Sequence, residues 1–140
     1  MSRPFSDEGK DWFMDFLRRH KFSNIIDTDS YDRYQHWDIE GEFKGEKVLF
    51  ELKSRDFPSY KYGDVTIDYS KVQHLEESGC RGVIVYFWSD RWCMIDLKTH
   101  PYTIIRQMTR SNTRFGGARM IERPWAVWSL DKIRLLDYGD

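Results

Sequence analysis

Hydrophobic residues follow two different periods in the first half of the chain. Residues 6–20 show helical spacing behind Ser6, a good helix N-cap. The apolar stripe of this segment consists of Trp12, Phe13, Phe16 and Leu17. Apolar and polar residues alternate at 37–43 and again at 48–53, and Lys44, Gly45 and Glu46 separate the two segments. This pattern predicts a helix followed by a β-hairpin with one apolar face.

The remaining segments predict more helices and strands around this hairpin. Strands are expected at 22–26, 83–88, 92–97 and 125–128, and helices at 70–79, 102–110 and 131–136. Polar segments at 27–35, 55–69 and 111–119 are expected to be loops, the last of them mobile around Gly116 and Gly117. The order of elements predicts an α/β fold with a mixed central sheet flanked by helices. No linker-like segment divides residues 1–140, so one domain is expected.

Composition and charge narrow the class of protein. The 140 residues suffice for one hydrophobic core, and 16% of them are aromatic. No apolar run approaches the length of a membrane span, and the first residues lack a signal-peptide pattern, so a cytoplasmic protein is expected. The two cysteines, Cys80 and Cys93, form no CxxC pair and are expected to be reduced thiols. The net charge of −1 excludes a general polycation.

The residues with the clearest chemistry lie on the predicted hairpin. Glu51 and Lys53 are two positions apart, so their side chains project from one face of a strand. A hairpin would fold Asp38 back towards Glu51. Carboxylate oxygens favour a hard cation such as Mg²⁺, with Mn²⁺ as a substitute, and the backbone carbonyl of Leu52 is a further candidate ligand. Such a cation with Lys53 beside it is suited to phosphodiester hydrolysis.

Asp38 followed by Glu51-Leu52-Lys53, on a hairpin between two helices, resembles the PD-(D/E)XK nuclease superfamily. The similarity is greatest to its small members that resemble Holliday-junction resolvases, and it covers residues 6–97. It implies a restriction-endonuclease-like core, DNA as the nucleic acid, metal binding by Asp38 and Glu51, and assistance by Lys53. The chain departs from the pattern at His36 and Trp37, where no proline precedes Asp38.

The same resemblance implies supporting residues and an assembly. Members often add a carboxylate from the first helix, for which Glu8 and Asp11 are the candidates. Many place a polar residue of the second helix near the site, for which Lys71 and Gln73 are the candidates. Resolvase-like enzymes are commonly homodimers, so a homodimer is a further expectation.

The C-terminal region, residues 101–140, is basic and matches no family pattern. It carries seven Lys and Arg against four Asp and Glu. Helical spacing would place Arg106 and Arg110 on one face. Arginines near a mobile loop suit contacts with a phosphate backbone, although a solubilising surface is the alternative. The candidate nucleic-acid-binding residues are Arg106, Arg110, Arg114, Arg119 and Arg123.

Three other interpretations of the hairpin remain open. Its charged residues could be a solvated sheet face with cross-strand ion pairs. The chain could be a catalytically inactive nuclease-fold protein that binds DNA or a protein partner. It could also be an interaction module without a role in nucleic-acid metabolism. The four histidines share no metal-ligand spacing, so a zinc site is not expected.

Overall fold

The computed structural model describes residues 7–28, 36–112 and 118–139. Two α-helices are described in these ranges, α1 (Asp7–Arg19) and α2 (Tyr69–Glu77). Nine β-strands accompany them, together with a 3-10 helix at Leu130–Lys132. The strands are β1 (Ser23–Asp27), β2 (Ile39–Phe43), β3 (Glu46–Ser54), β4 (Asp64–Asp68), β5 (Arg81–Phe87), β6 (Arg91–Asp96), β7 (Thr103–Asn112), β8 (Ala118–Ser129) and β9 (Leu136–Asp137).

Six strands form a central mixed sheet in the order β1-β2-β3-β5-β6-β9. Strands β3 and β5 are parallel, and every other neighbouring pair in this sheet is antiparallel. The helix α2 lies in the connection between the two parallel strands, as such a crossover requires. The sequence-based prediction of an α/β fold with a mixed central sheet flanked by helices is therefore confirmed.

The two helices cover opposite faces of the central sheet. On one face, α1 buries Phe13, Phe16 and Leu17 against a cluster that includes Phe50 and Trp92. Aromatic rings dominate this interface, and the rings of Phe13 and Phe50 meet edge to face at 5.2 Å. Each aromatic side chain buries a large apolar area. A few of them are therefore enough to form a core on this face, although the chain is rich in charged residues.

On the other face, α2 packs with a second sheet. The strands β4, β8 and β7 form this three-stranded antiparallel sheet, and Trp128 of β8 and Val65 of β4 are buried in the same cluster as Leu75 of α2. Gly82 of β5 permits the close approach of α2, because a Cβ at this position would lie 2.9 Å from Cβ of Leu75. Leu49 and Ile84 of the central sheet complete this core.

The second sheet was not predicted, and three segments were assigned wrongly. The predicted loop 55–69 contains β4, and the predicted helix 102–110 is the strand β7, which pairs with β8 over its whole length. Strand β8 is also far longer than the predicted strand 125–128. The predicted helix 131–136 is a single 3-10 turn followed by β9. In the described residues no helix has the length and apolar character needed to cross a membrane.

Candidate active site

The turn of the predicted hairpin determines which residues of β2 and β3 meet. Lys44 and Gly45 both have positive φ, 51° and 81°, the conformation of a two-residue type I′ turn. This turn pairs Phe43 with Glu46, and the register continues outward to the pair Ile39 and Phe50. The ladder ends at this pair, and Asp38 immediately precedes β2. Asp38 still lies beside β3, because its Oδ2 accepts from the N–H of Leu52, and its carboxylate and that of Glu51 both act electrostatically on Lys53.

Asp38 is fixed by both its backbone and its side chain. Its N–H donates to the carbonyl of Phe50 at 2.9 Å, and its Oδ2 accepts from the N–H of Leu52 at 2.8 Å. Phe50 and Leu52 therefore face β2 with their backbone polar groups, since the N–H and C=O of one strand residue point to the same neighbour. The carbonyl of Leu52 is consequently directed towards the strand edge where Asp38 lies, as a third oxygen of the site requires.

Within the described ranges Glu51 is the one buried charged residue, with only 8% of its surface exposed. A buried carboxylate needs a partner, because its desolvation would otherwise be costly. Lys71 of α2 provides one, with its Nζ 3.8 Å from Oε1 of Glu51. Stacking of the His36 and His74 rings at 3.7 Å also joins α2 to the segment that precedes Asp38. The packing of α2 against the sheet thus places Lys71 beside Glu51.

Lys53 lies two positions beyond Glu51 and projects from the same face of β3. Partial burial of its ammonium group and the neighbouring Arg55 cation lower the pKa of Lys53 below its ordinary value. Lys71 acts in the same direction, whereas the carboxylates of Glu51 and Asp38 raise the pKa. A lysine with a lowered pKa can lose its proton more readily than a lysine in solvent, which is a property required of a general base.

Arg55 belongs to the same group of charges and was not selected from the sequence. Its Nε donates to the hydroxyl of Tyr86 at 2.6 Å, and its Nη2 lies 3.4 Å from the carbonyl oxygen of Thr66. The alternation of Glu51, Lys53 and Arg55, which continues one residue beyond the end of β3, is the signal that could have identified it. Lys53 is therefore close enough to interact electrostatically with two cations, Arg55 and Lys71, and with two carboxylates, Glu51 and Asp38.

The donor set fits a hard divalent cation of the Mg²⁺ type. Mg²⁺ commonly takes one or two carboxylates from a protein and keeps several waters, so Asp38, Glu51 and the Leu52 carbonyl are chemically sufficient. In the described part of the chain, no group of three or more His, Cys, Asp and Glu side chains converges to hold a metal. A metal here would therefore rely on two carboxylates and would compete with Lys71 for Glu51.

Of the supporting candidates whose side chains the structure describes, only Lys71 lies at the site. Asp11 has an exposed side chain on α1, and α1 covers the face of the sheet opposite to Glu51. The side chain of Glu8 lies outside the described residues. Gln73 is exposed on α2, two positions from Lys71, and therefore projects from a different side of the helix.

The candidate nucleic-acid-binding arginines lie on the hairpin of β7 and β8 rather than on a helix. Arg106 pairs with Pro124 in the ladder and Arg123 with Gln107, so Arg106 and Arg123 project from opposite faces. Each has a carboxylate partner: Glu122 lies 3.6 Å from Arg106, and Asp68 lies 3.4 Å from Arg123. The side chains of Arg110 and Arg119, and all of Arg114, lie outside the described residues.

Comparison with known proteins gives a similarity of fold but no matching family. No protein-family model matches the sequence, and no curated protein matches it. Among solved structures, the chain is similar to Hjc, a Holliday junction resolvase from the archaeal hyperthermophile Archaeoglobus fulgidus. The identity is 11%, the TM-score is 0.47, and the match covers 80% of this chain and 82% of that one. Similarity at this level carries no information about activity, so the site has to be interpreted from its own residues.

Proposed function

We propose that this protein is a metal-dependent nuclease of the PD-(D/E)XK type that hydrolyses phosphodiester bonds of DNA. The observation that carries the proposal is that Oδ2 of Asp38 accepts from the N–H of Leu52, the residue between Glu51 and Lys53, and that the carboxylates of Asp38 and Glu51 both act electrostatically on Lys53. The buried Glu51 and the lowered pKa of Lys53 distinguish this group from a solvated face of surface ion pairs. Such perturbed groups concentrate at functional sites.

The residues of the chain have separate roles in this proposal. Asp38 and Glu51, with the carbonyl of Leu52, would hold Mg²⁺, which would supply Lewis acidity and increase the acidity of a bound water. Asp38 is oriented for this role by the Leu52 N–H. Lys53 accepts a proton from the attacking water or neutralises charge that develops on the phosphate. Lys71 and Arg55 add positive charge, which favours binding of the phosphate near the two carboxylates.

The test of the proposal is a cleavage assay on a panel of branched, double-stranded and single-stranded DNAs with Mg²⁺ or Mn²⁺. We expect cleavage of at least one DNA that depends on the cation and stops when EDTA is added. A parallel titration of the protein with Mg²⁺, followed by Trp fluorescence, should show saturable binding because Trp37 adjoins Asp38. Absence of both cleavage and cation binding would contradict the proposal.

The alternative is a nuclease-fold protein that binds DNA without cleaving it. The ion pair between Lys71 and Glu51 favours this alternative, because the ammonium group occupies the neighbourhood in which the metal would sit. DNA binding that neither needs nor responds to a divalent cation, together with no cleavage, would identify this case. A Lys71→Ala variant that gains cation binding would show that the ion pair is what excludes the metal.

The arginines of the β7–β8 hairpin are proposed to contact the DNA backbone. Each phosphate contact releases counterions, so Arg106→Gln and Arg123→Gln should each lower the dependence of log K on log salt by about one. Salt titrations of DNA binding would measure the slopes. The matched control is Arg19→Gln, since Arg19 also pairs with an exposed carboxylate, at 3.6 Å from Asp15, but lies on α1. If the slope of log K against log salt is the same in all three variants, Arg106 and Arg123 do not contact DNA and only keep the surface soluble.

A further inference from the structure

The connection between β3 and β4 carries exposed aromatic residues beside the candidate active site. It consists of residues 55–63, and we refer to residues 56–63 as the aromatic loop. Because β3 and β5 are parallel, they end at the same edge of the central sheet, where Ser54 pairs with Phe87. Lys53 immediately precedes this edge, so the aromatic loop begins where the site ends. A DNA strand that runs through the site towards this edge would meet the loop.

The aromatic loop is held in place by hydrogen bonds to the turn that follows β5. The carboxylate of Asp90 accepts from the N–H of Ser59 at 2.7 Å and from its hydroxyl at 2.8 Å. The N–H of Ser89 donates to the carbonyl of Phe57 at 3.1 Å. Ser59 is only 5% exposed, and Phe57 packs against the core that contains α2. The centre of the loop is thus held both by these hydrogen bonds and by the burial of Ser59 and the packing of Phe57.

The residues after this anchor project into solvent. Tyr60 is 81% exposed and Tyr62 is 62% exposed, the largest values among the exposed large hydrophobic residues of the described chain. Lys61 lies between them, with its Nζ 5.3 Å from the ring centre of Tyr62 and 5.4 Å from that of Phe57. A fixed loop that exposes two aromatic rings and a cation presents flat apolar surfaces next to positive charge.

We propose that the aromatic loop stacks against unpaired bases of the DNA substrate, with Tyr60 and Tyr62 as the stacking residues and Lys61 on the adjoining phosphate. This inference rests on the proposed function and specifies its substrate: DNA with unpaired nucleotides near the scissile phosphate. Bases in an intact duplex already stack on each other, so their faces are not accessible to a protein ring. A base in a gap, a branch point or a single strand offers both faces.

Three properties of the aromatic loop favour binding to bases: its exposed rings, its fixed conformation and the positive charge of Lys61. An aromatic ring stacks on any base because every base has a π-face, and loss of such a contact weakens binding substantially. A pre-ordered loop loses little conformational entropy on binding. The positive charge of Lys61 adds attraction to the phosphate that connects the stacked nucleotides.

The test compares two fluorescein-labelled DNAs in EDTA, a full duplex and the same duplex with a short single-stranded gap. The double variant Tyr60→Ala/Tyr62→Ala should bind the gapped DNA roughly 5- to 100-fold more weakly than the wild-type protein, and the duplex with nearly unchanged affinity. A 2-aminopurine base in the gap should be quenched by the wild-type protein and much less by the double variant. Anisotropy and fluorescence titrations give both readouts.

The matched control is Tyr60→Phe/Tyr62→Phe, which retains both rings and should bind the gapped DNA like the wild-type protein. Equal weakening on both DNAs, no weakening, or the same loss in the Phe variant would overturn the stacking role. A wild-type protein that cleaves duplex DNA while its Ala variant binds gapped DNA normally would refute only this inference. Failure of the wild-type protein to bind or cleave any DNA would refute the proposed function as well.

Discussion

The variant Glu51→Gln is expected to lose cleavage by about 10³-fold or more, since removal of a metal ligand forfeits several kcal/mol of transition-state stabilisation. Glutamine has nearly the same size as glutamate, but its amide lacks the negative charge that holds Mg²⁺. Asp38→Asn should have an equal effect, and the Asn carbonyl can still accept from the N–H of Leu52. Single-turnover cleavage and Mg²⁺ titration of each variant would measure the loss and its cause.

The hairpin itself offers the matched control for this experiment. Glu40 of β2 also pairs with a half-exposed lysine, with its Oε2 3.3 Å from Lys47, and its side chain is nearly as buried as that of Glu51. It lies nearer the turn, away from the end of β3. Glu40→Gln should therefore cleave DNA like the wild-type protein. Melting curves would show that Glu51→Gln remains folded, and wild-type turnover by folded Glu51→Gln would refute the mechanism.

The sequence alone predicted those helices and strands whose pattern lies in neighbouring residues. The hairpin of β2 and β3 follows from alternating residues on both sides of a Lys-Gly turn, and β5 follows from an apolar run covered on both faces. The helix α1 follows from apolar spacing alone. Because the turn also determines the register, the approach of Asp38 to β3 near Glu51 could be predicted from the sequence. Residues close in sequence carried all of this information.

The second sheet could not be predicted because its pairing is long-range. Strand β4 is only five residues long, and it pairs with β8, in which Trp128 lies opposite Val65. Nothing near β4 in the sequence indicates that partner. The helix predicted at 102–110 is strand β7, although Ile104, Ile105 and Met108 also fit helical spacing. Packing of β8 against β7 overrode that local pattern, as tertiary context commonly does.

The surroundings of the site depend on the same long-range packing. The sequence indicated that Glu51 and Lys53 share a face, but the contact between Lys71 and Glu51 exists because Leu75 of α2 rests on Gly82. The position of Arg55 depends on Tyr86 of β5. The lowered pKa of Lys53 results from burial and from these two added cations, so it could not be inferred from the spacing of the motif.

Lys53→Ala is expected to lower turnover by roughly 10²- to 10⁴-fold, the usual effect of losing an acid–base group. Unlike the carboxylate variants, it should bind Mg²⁺ at least as tightly as the wild-type protein, because a cation that repels the metal has been removed. Lys53→Arg separates the two roles that this residue could have. Arginine supplies charge but cannot be deprotonated in proteins, so it restores activity only if Lys53 acts through charge. Single-turnover rates with Mg²⁺ titrations would measure these effects.

The pH profile provides an independent check on a general-base role. Arg55 lowers the pKa of Lys53, so Arg55→Gln should raise this pKa towards its ordinary value. At a given pH a larger fraction of Lys53 would then be protonated and unable to accept a proton. The rising limb of the rate profile should therefore move to higher pH in Arg55→Gln than in the wild-type protein. In a Lys53→Ala background the same Arg55→Gln substitution should leave the profile unchanged. If the rising limb lies at the same pH in the wild-type protein and in Arg55→Gln, Lys53 is not the general base. Lys53 would then act only through its positive charge.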